Sequence, residues 1–463
     1  MHGAAVKWRM PIHNEQETPL GEVAPKKKRK ASSVRHTRAV QLDRSKRPAA
    51  APPDEQIVAR LTEIVHPATL AQLDYYRQLG LRERVLTLPV MVALVLSLIW
   101  RQVGGVSELA RLVRSEKMLW LPGLKVSQQA LSARLGSLPA ELFLGLLTSV
   151  LPLMQSRWQA RQRRLPPEVA WAQERYTQLS VVDGSTLDGL VHKLGLLRDA
   201  PGTPLAGRMT ALLELGSRLP RQIWYTAEAT ANDQSFWPVI LASLSAGALL
   251  IYDLGYTNFA HFAQLTAAQV TFITRAKSNL VYQVSQTLRQ TPQVWDQWVW
   301  IGKNETRQQV RLIQVLYQGV RYRYLTNALD PQVLPAGYVA ALYWQRWRIE
   351  EAYALVKRLL GLAYFWVGSE NGIRLQLWAT WLLYAVLVDL TDAVAEALTQ
   401  PLAALSLEMV YRSLPHFTHA YHRGTATDVV AFLAANATWL GILKRPRKRA
   451  QQKRLALTQL LSA

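Results

Sequence analysis

Residues 343–360, YWQRWRIEEAYALVKRLL, read as one long helical stretch and constrain the fold more than any other part of the chain. At about 100° per residue, Tyr343, Arg346, Glu350 and Lys357 fall within an arc of roughly 60°. Ala352, Leu355, Val356 and Leu359 point the other way, toward what should be a buried core. One face therefore offers a carboxylate flanked by two cations and a phenol, and the opposite face anchors the helix. A face of that kind suits binding a metal ion and a phosphate together. Glu351 lies outside the cationic arc, so Glu350 is the acid of interest.

At 463 residues the chain has room for about three domains, or for one large core with appendages. A hydrophobic share of 49% is enough to bury a core. Lys and Arg number 54 against 32 Asp and Glu, and the resulting +22 points to a polyanionic partner. Cysteine is absent, which excludes disulfides, thiolate metal sites and cysteine nucleophiles; zinc could be held only by His and carboxylate. Residues 1–9 contain no long apolar run, so no secretory signal is expected. Residues 88–100 and 375–390 are apolar but fall short of the roughly 20 residues of a membrane span, and each is expected to be a buried helix of a soluble protein.

Residues 1–53 read as a disordered basic arm. Residues 1–50 hold twelve Lys and Arg against four Asp and Glu. The run PKKKRK (residues 25–30) reads as a nuclear-import address, native or appended, or as a phosphate-binding patch. From 54 to 165 the pattern is helical, with Ser107 and Ser127 as N-caps. Such short helices can enter a DNA groove, and a plain packing domain fits equally well. The pattern then becomes α/β over residues 170–400. A strand over 178–185 is followed by a hairpin around Gly216-Ser217, a helix over 233–246 and a buried strand over 248–255. Another helix starts near Asn258, with a strand over 269–276 after it. Residues 279–332 read as a β-rich insertion, and the long helix beginning near Gly337 closes this region. Residues 401–463 form a helical C-terminal region whose last 23 positions hold seven Lys and Arg and no acid.

Three acids come from three distant places. Asp183 ends an apolar strand in VVDGST, Asp253 ends another in LLIYDLGYTNF, and Glu350 lies on the long helix. In open α/β sheets, functional groups gather at the carboxyl ends of strands. Singly, each acid has a plainer reading: a turn former, a cap or a solvated helix face. Together they make a cage of oxygen ligands, whose mutual repulsion a divalent cation would relieve. Oxygen-only ligation suits Mg²⁺ or Mn²⁺, and two such ions can activate a water or a 3′-hydroxyl and stabilise a departing phosphodiester oxygen. Arg346, Lys357 and the Tyr343 hydroxyl could hold backbone phosphates.

Tyr343, two residues, Arg346, three residues, Glu350, six residues, Lys357: in this spacing the chain resembles the DDE transposases of bacterial insertion sequences, in the group marked by a Tyr–Arg–Glu–Lys signature. VVDGST and DLGYTNF resemble that family's first and second Asp segments. The resemblance spans about residues 179–360, and the helical segment before it is similar to the family's amino-terminal region. It implies an RNase H-like mixed-sheet core with a β-rich insertion between the second Asp and the Glu. The 97 positions from Asp253 to Glu350 leave room for that insertion. It further implies two Mg²⁺ or Mn²⁺ ions held by Asp183, Asp253 and Glu350, and DNA contacts from Tyr343, Arg346 and Lys357. The implied partners are transposon terminal inverted repeats, target DNA and a second copy in a synaptic dimer, with no membrane. The implied reaction is metal-dependent strand cleavage and strand transfer, in a bacterial cytoplasm and nucleoid. Some relatives stack a flipped base on a Trp of the insertion. Trp295, Trp298, Trp300, Tyr322 and Tyr324 are the residues here that could serve, with packing as the alternative.

His416, His419 and His422 recur every third residue. On a helix they would spread over about 120°, a poor fit for one metal, so a surface loop or a DNA contact is expected. No Arg-rich core with a nucleophilic Tyr can be placed beside them, which leaves a tyrosine-recombinase reading weak. Two other readings stay open: a metal nuclease of the same fold without strand transfer, and a non-catalytic basic DNA-binding protein. The second explains the charge but not three acids flanked by cations.

Overall fold

The computed structural model describes residues 55–81, 83–187, 190–191, 206–362, 364–366 and 369–444. The PKKKRK run and most of the basic C-terminal tail lie outside them. Seven helices come first: α1 (Glu55–Leu70), α2 (Leu73–Gln78), α3 (Leu88–Trp100), α4 (Val106–Ser115), α5 (Gln128–Ser137), α6 (Glu141–Ala160) and α7 (Pro167–Gln173). Ser127 caps α5 by accepting from the Ala130 N–H at 3.1 Å. Ser107 does not cap α4, because that helix starts one residue earlier, after Gly105, and Ser107 falls inside its first turn.

A nine-stranded mixed sheet follows. Its strands are β1 (Leu179–Thr186), β3 (Arg208–Glu214), β4 (Pro220–Thr226), β5 (Leu249–Tyr252), β6 (Thr271–Arg275), β7 (Tyr282–Gln290), β8 (Val294–Ile301), β9 (Gln308–Tyr317) and β10 (Val320–Thr326). The short β2 (Leu190–Val191) pairs instead with β11 (Tyr364–Phe365). The order is β4-β3-β1-β5-β6-β10-β9-β8-β7. Strands β1, β5 and β6 run parallel; on the other side of β1, β3 pairs antiparallel with β1 and β4 antiparallel with β3. Taken in chain order, these five strands stand 3-2-1-4-5, the RNase H-like arrangement. The expected β-rich insertion is the meander β7–β10, and it joins the core sheet through antiparallel pairing of β10 with β6.

Strand β5, Leu-Leu-Ile-Tyr, is buried throughout, as a central parallel strand covered on both faces must be. Alternation assigns its side chains to two cores. Val181, Leu249, Ile251 and Ile273 face a large cluster that runs from Leu61 to Ile442. Val182, Leu250, Tyr252 and Phe272 face a smaller one. The smaller core is closed by α8 (Trp237–Ala242) and α9 (Phe259–Ala267), through Trp237, Ile240, Phe262 and Leu265. A 3-10 turn over Asp233–Phe236 leads into α8, so the helix expected over 233–246 is shorter than its pattern suggested.

The large core takes in α10 (Ala336–Trp344), α11 (Trp347–Ala354), α12 (Glu370–Ala397), α13 (Leu407–His422) and α14 (Val429–Ala435). Helix α12 is longer than residues 375–390. It is long and apolar enough to cross a membrane by length and composition, but 94% of its apolar 18-residue window is buried within the protein. The stretch 343–360 is not one regular helix. At Gln345 and Arg346 the backbone tightens, with Arg346 N–H bonding Tyr343 C=O and Ile349 N–H bonding Arg346 C=O. Over Leu355–Leu359 it widens into a π turn closed by Leu360 N–H on Leu355 C=O. Single π turns interrupt helices most often at functional sites.

Candidate active site

Strands β1 and β5 pair in parallel with Val182 opposite Tyr252, so Asp183 and Asp253 come one residue later on neighbouring strands. Period-two alternation puts both on the Val181/Ile251 face. That face carries α11, whose Ile349, Ala352 and Tyr353 sit in the same core. The sheet and the helix thus bring their polar ends to one place, as strand-end chemistry requires.

Arg346 is the hub, and only 5% of it is exposed. Its Nη1 donates to Asp183 Oδ2 at 2.9 Å and its Nη2 to Glu350 Oε1 at 2.6 Å. The Tyr343 hydroxyl donates to Asp253 Oδ1 at 3.1 Å. Lys357 donates to the carbonyl of Thr186, at the end of the strand that carries Asp183. Tyr343, Arg346 and Lys357 therefore reach the two strand ends and Glu350 is tied to them through Arg346, though Tyr343 and Arg346 are buried rather than turned to solvent. Leu355 is only partly buried, whereas Ala352, Val356 and Leu359 are buried as the periodicity predicts. Glu351 turns away, to Arg348 at 2.7 Å, Arg218 at 3.4 Å and Lys444 at 3.6 Å.

Burial pushes the Asp183 carboxyl up to about 6. Arg346 and the Gly184 N–H oppose that shift, and the neighbouring Asp253 and Asp233 add to it. Burial likewise raises the Tyr343 phenol, with the Asp253 charge adding to the effect, so its hydroxyl stays a donor. Among the described residues, no three His, Asp or Glu side chains lie close enough together to hold one metal ion. The Arg346 guanidinium stands between Asp183 and Glu350, bonded to both. The carboxylate oxygens of Asp183, Asp253 and Glu350 are hard donors, the kind that Mg²⁺ or Mn²⁺ would take.

Two features of the site were not found from the sequence. The Tyr353 hydroxyl donates to the carbonyl of Asp183 and accepts the Ala211 N–H at 3.0 Å. It spans the one residue pair that aligns β1 with β3 at the acid. Arg208, on β3, pairs with Asp233 beside the same strand ends. A hint for Asp233 existed in its position just after Asn232, which caps the 3-10 turn.

The aromatic residues of the insertion hold it together. Trp298 donates to the Leu329 carbonyl at 2.8 Å, and Tyr324 is buried and accepts from Trp344 at 2.9 Å. Arg321 covers Trp295 at 4.1 Å and Arg307 covers Trp300 at 4.8 Å, while Tyr322 lies 6.4 Å from Tyr317. His416, His419 and His422 lie on α13, not in a loop, because Ser406 caps a helix that continues through Pro415. His416 packs edge-on against Trp439.

Comparison with known proteins bears on the same region. Residues 205–386 match the family described as a transposase DDE domain, a span that includes Asp253 and Glu350 and begins after Asp183. A protein of Sinorhizobium fredii (strain NBRC 101917 / NGR234) named as transposase y4zB is 27% identical over 188 residues, covering 39% of this chain. The chain spans about half of that relative, 52% of its length. Among solved structures, the piggyBac transposase synaptic complex with hairpin DNA aligns over 85% of this chain and 86% of its own. Its identity is 9% and its TM-score 0.39, too low to carry an argument.

Proposed function

We propose that this protein, whose residues 205–386 match a transposase DDE domain, is a DDE transposase that binds the terminal inverted repeats of a transposon and catalyses cleavage and strand transfer there. The observation that carries the reading is the arrangement of Asp183, Asp253 and Glu350 around the Arg346–Tyr343 strip. Those three carboxylates would hold Mg²⁺ or Mn²⁺, two ions per site. When bound, the ions activate a water or 3′-hydroxyl and stabilise the departing oxygen. Arg346, once turned outward, grips a backbone phosphate with its planar fork, and Lys357 adds a point charge beside it. Tyr343, kept protonated, keeps Asp253 oriented through its hydroxyl or donates to a phosphate. The net charge of +22 suits a double-stranded DNA partner, and a homodimer in the synaptic complex belongs to the same proposal.

A joining assay tests this. Purified protein with Mg²⁺, pre-cut ends carrying free 3′-hydroxyls and a target plasmid should give covalently joined products. Cleavage of uncut ends without any joining would instead support a nuclease of this fold. DNA binding with neither reaction would leave a non-catalytic binder.

A further inference from the structure

Each strand-end acid is followed closely by a glycine: Gly184 after Asp183, and Gly255 two residues after Asp253. Neither has a positive φ that would require glycine. The requirement is space, and the Asp233 side chain takes it at both places, joined at Gly184 by Arg208 Nη2, 3.0 Å from where a Cβ would lie. A Cβ on Gly255 would lie 2.7 Å from Asp233 Oδ2, and a Cβ on Gly184 would lie closer still to Asp233 Oδ1. One carboxylate therefore rests an oxygen on each of the two loops that bear the acids. Arg208 neutralises it from β3, and its other amino group reaches Thr186 Oγ1 at 3.5 Å, further along β1.

The segment around Asp233 is itself fixed. Asn232 caps it by accepting from the Gln234 N–H at 3.1 Å, and Phe236 and Trp237 anchor it in the smaller core. Gln234 adds a second tie to the Asp253 loop. Its Nε2 donates to the Gly255 carbonyl at 3.3 Å, and Asn258 Nδ2 donates to its Oε1 at 3.3 Å.

We infer that Asp233, paired with Arg208, is a positioning residue that clasps the Asp183 and Asp253 loops together and sets the spacing of the two acids. The inference rests on the proposed reaction for its catalytic consequence, but not for its geometry. Misplacing reacting groups by about 1 Å costs about 10²-fold in rate. Asp233→Ala should slow Mn²⁺- or Mg²⁺-dependent end cleavage by about that factor. Its affinity for the same ends should be unchanged, and less Mn²⁺ should be bound by electron paramagnetic resonance at equal free ion. Gly184→Ala should be impaired through collision with the carboxylate. In the Asp233→Ala background the same change should cost little, in cleavage and in melting temperature alike. Asp233→Asn, isosteric, covers the case of an alanine variant that does not fold, and should be slower than the parent by about tenfold.

Parental cleavage and parental Mn²⁺ binding by the Asp233 variants would overturn the clasp. So would a Gly184→Ala penalty of equal size with and without Asp233. A parent that cuts no DNA would count against the proposed function instead, and the melting-temperature cycle would still decide whether Asp233 and Gly184 are coupled.

Discussion

At the residue scale, Asp183 sets a pH dependence. Its carboxyl is raised from an ordinary value near 3.8 to about 6, so between those values the folded protein holds the proton and the unfolded chain does not. The sign follows: this contribution is fully present below pH 4 and is lost as pH rises through about 6. Asp183→Asn should therefore stabilise the metal-free protein at pH 7.5, by up to about 3 kcal/mol, and change little at pH 4. Paired thermal melts at the two pH values check it, and equal shifts at both would refute it. Tyr353→Phe removes one buried hydroxyl that bridges the Asp183 carbonyl and the Ala211 N–H. A loss of about 1 kcal/mol by denaturant titration is expected. The four signature positions were legible because helical periodicity alone brings them to one face. That Tyr343 and Arg346 would be buried on the acids was not legible, since the 3-10 tightening at Gln345 turns Arg346 inward through contacts made only in the folded protein.

At the scale of elements, a buried ionic knot fastens the amino-terminal helices to α12. Asp389 is fully buried and pairs with Arg161 at 2.7 Å, Arg60 at 3.3 Å and Arg157 at 3.5 Å, and Asp392 pairs with Arg161 and Arg163. Removing one member leaves buried charge without its partner, so Asp389→Ala should cost about 3–5 kcal/mol. A double-mutant cycle with Arg161→Ala, read by chemical denaturation, should show strong coupling; additive losses would mean that the knot is not one unit. The strands were readable from their apolar runs and the insertion from its alternation. This knot was not, because Asp389 lies 228 positions from Arg161 and 329 from Arg60 and no local pattern joins them. The break at Gln345 and the π turn were hidden for a related reason: residues 343–360 contain no Gly or Pro to mark an interruption.

For the whole molecule, the positive charge predicts a steep salt dependence of DNA binding. If six to ten phosphates are contacted, affinity should fall by about 10³–10⁵ between 50 and 200 mM salt, and a nearly flat response would argue against a DNA-binding face of that size. The five-strand core order could be expected only through the family resemblance. Apolar runs mark strands but do not say which strand lies beside which. The division into a helical domain over 54–165, a catalytic domain over 170–400 and a C-terminal region is offered as a proposal, and limited proteolysis can map it. The most direct measurement is cleavage of transposon-end DNA in Mg²⁺ by the parent and by Glu350→Gln, with affinity for the same DNA recorded alongside. The variant is expected to bind as the parent does and to cut nothing; cleavage at the parental rate would contradict the account.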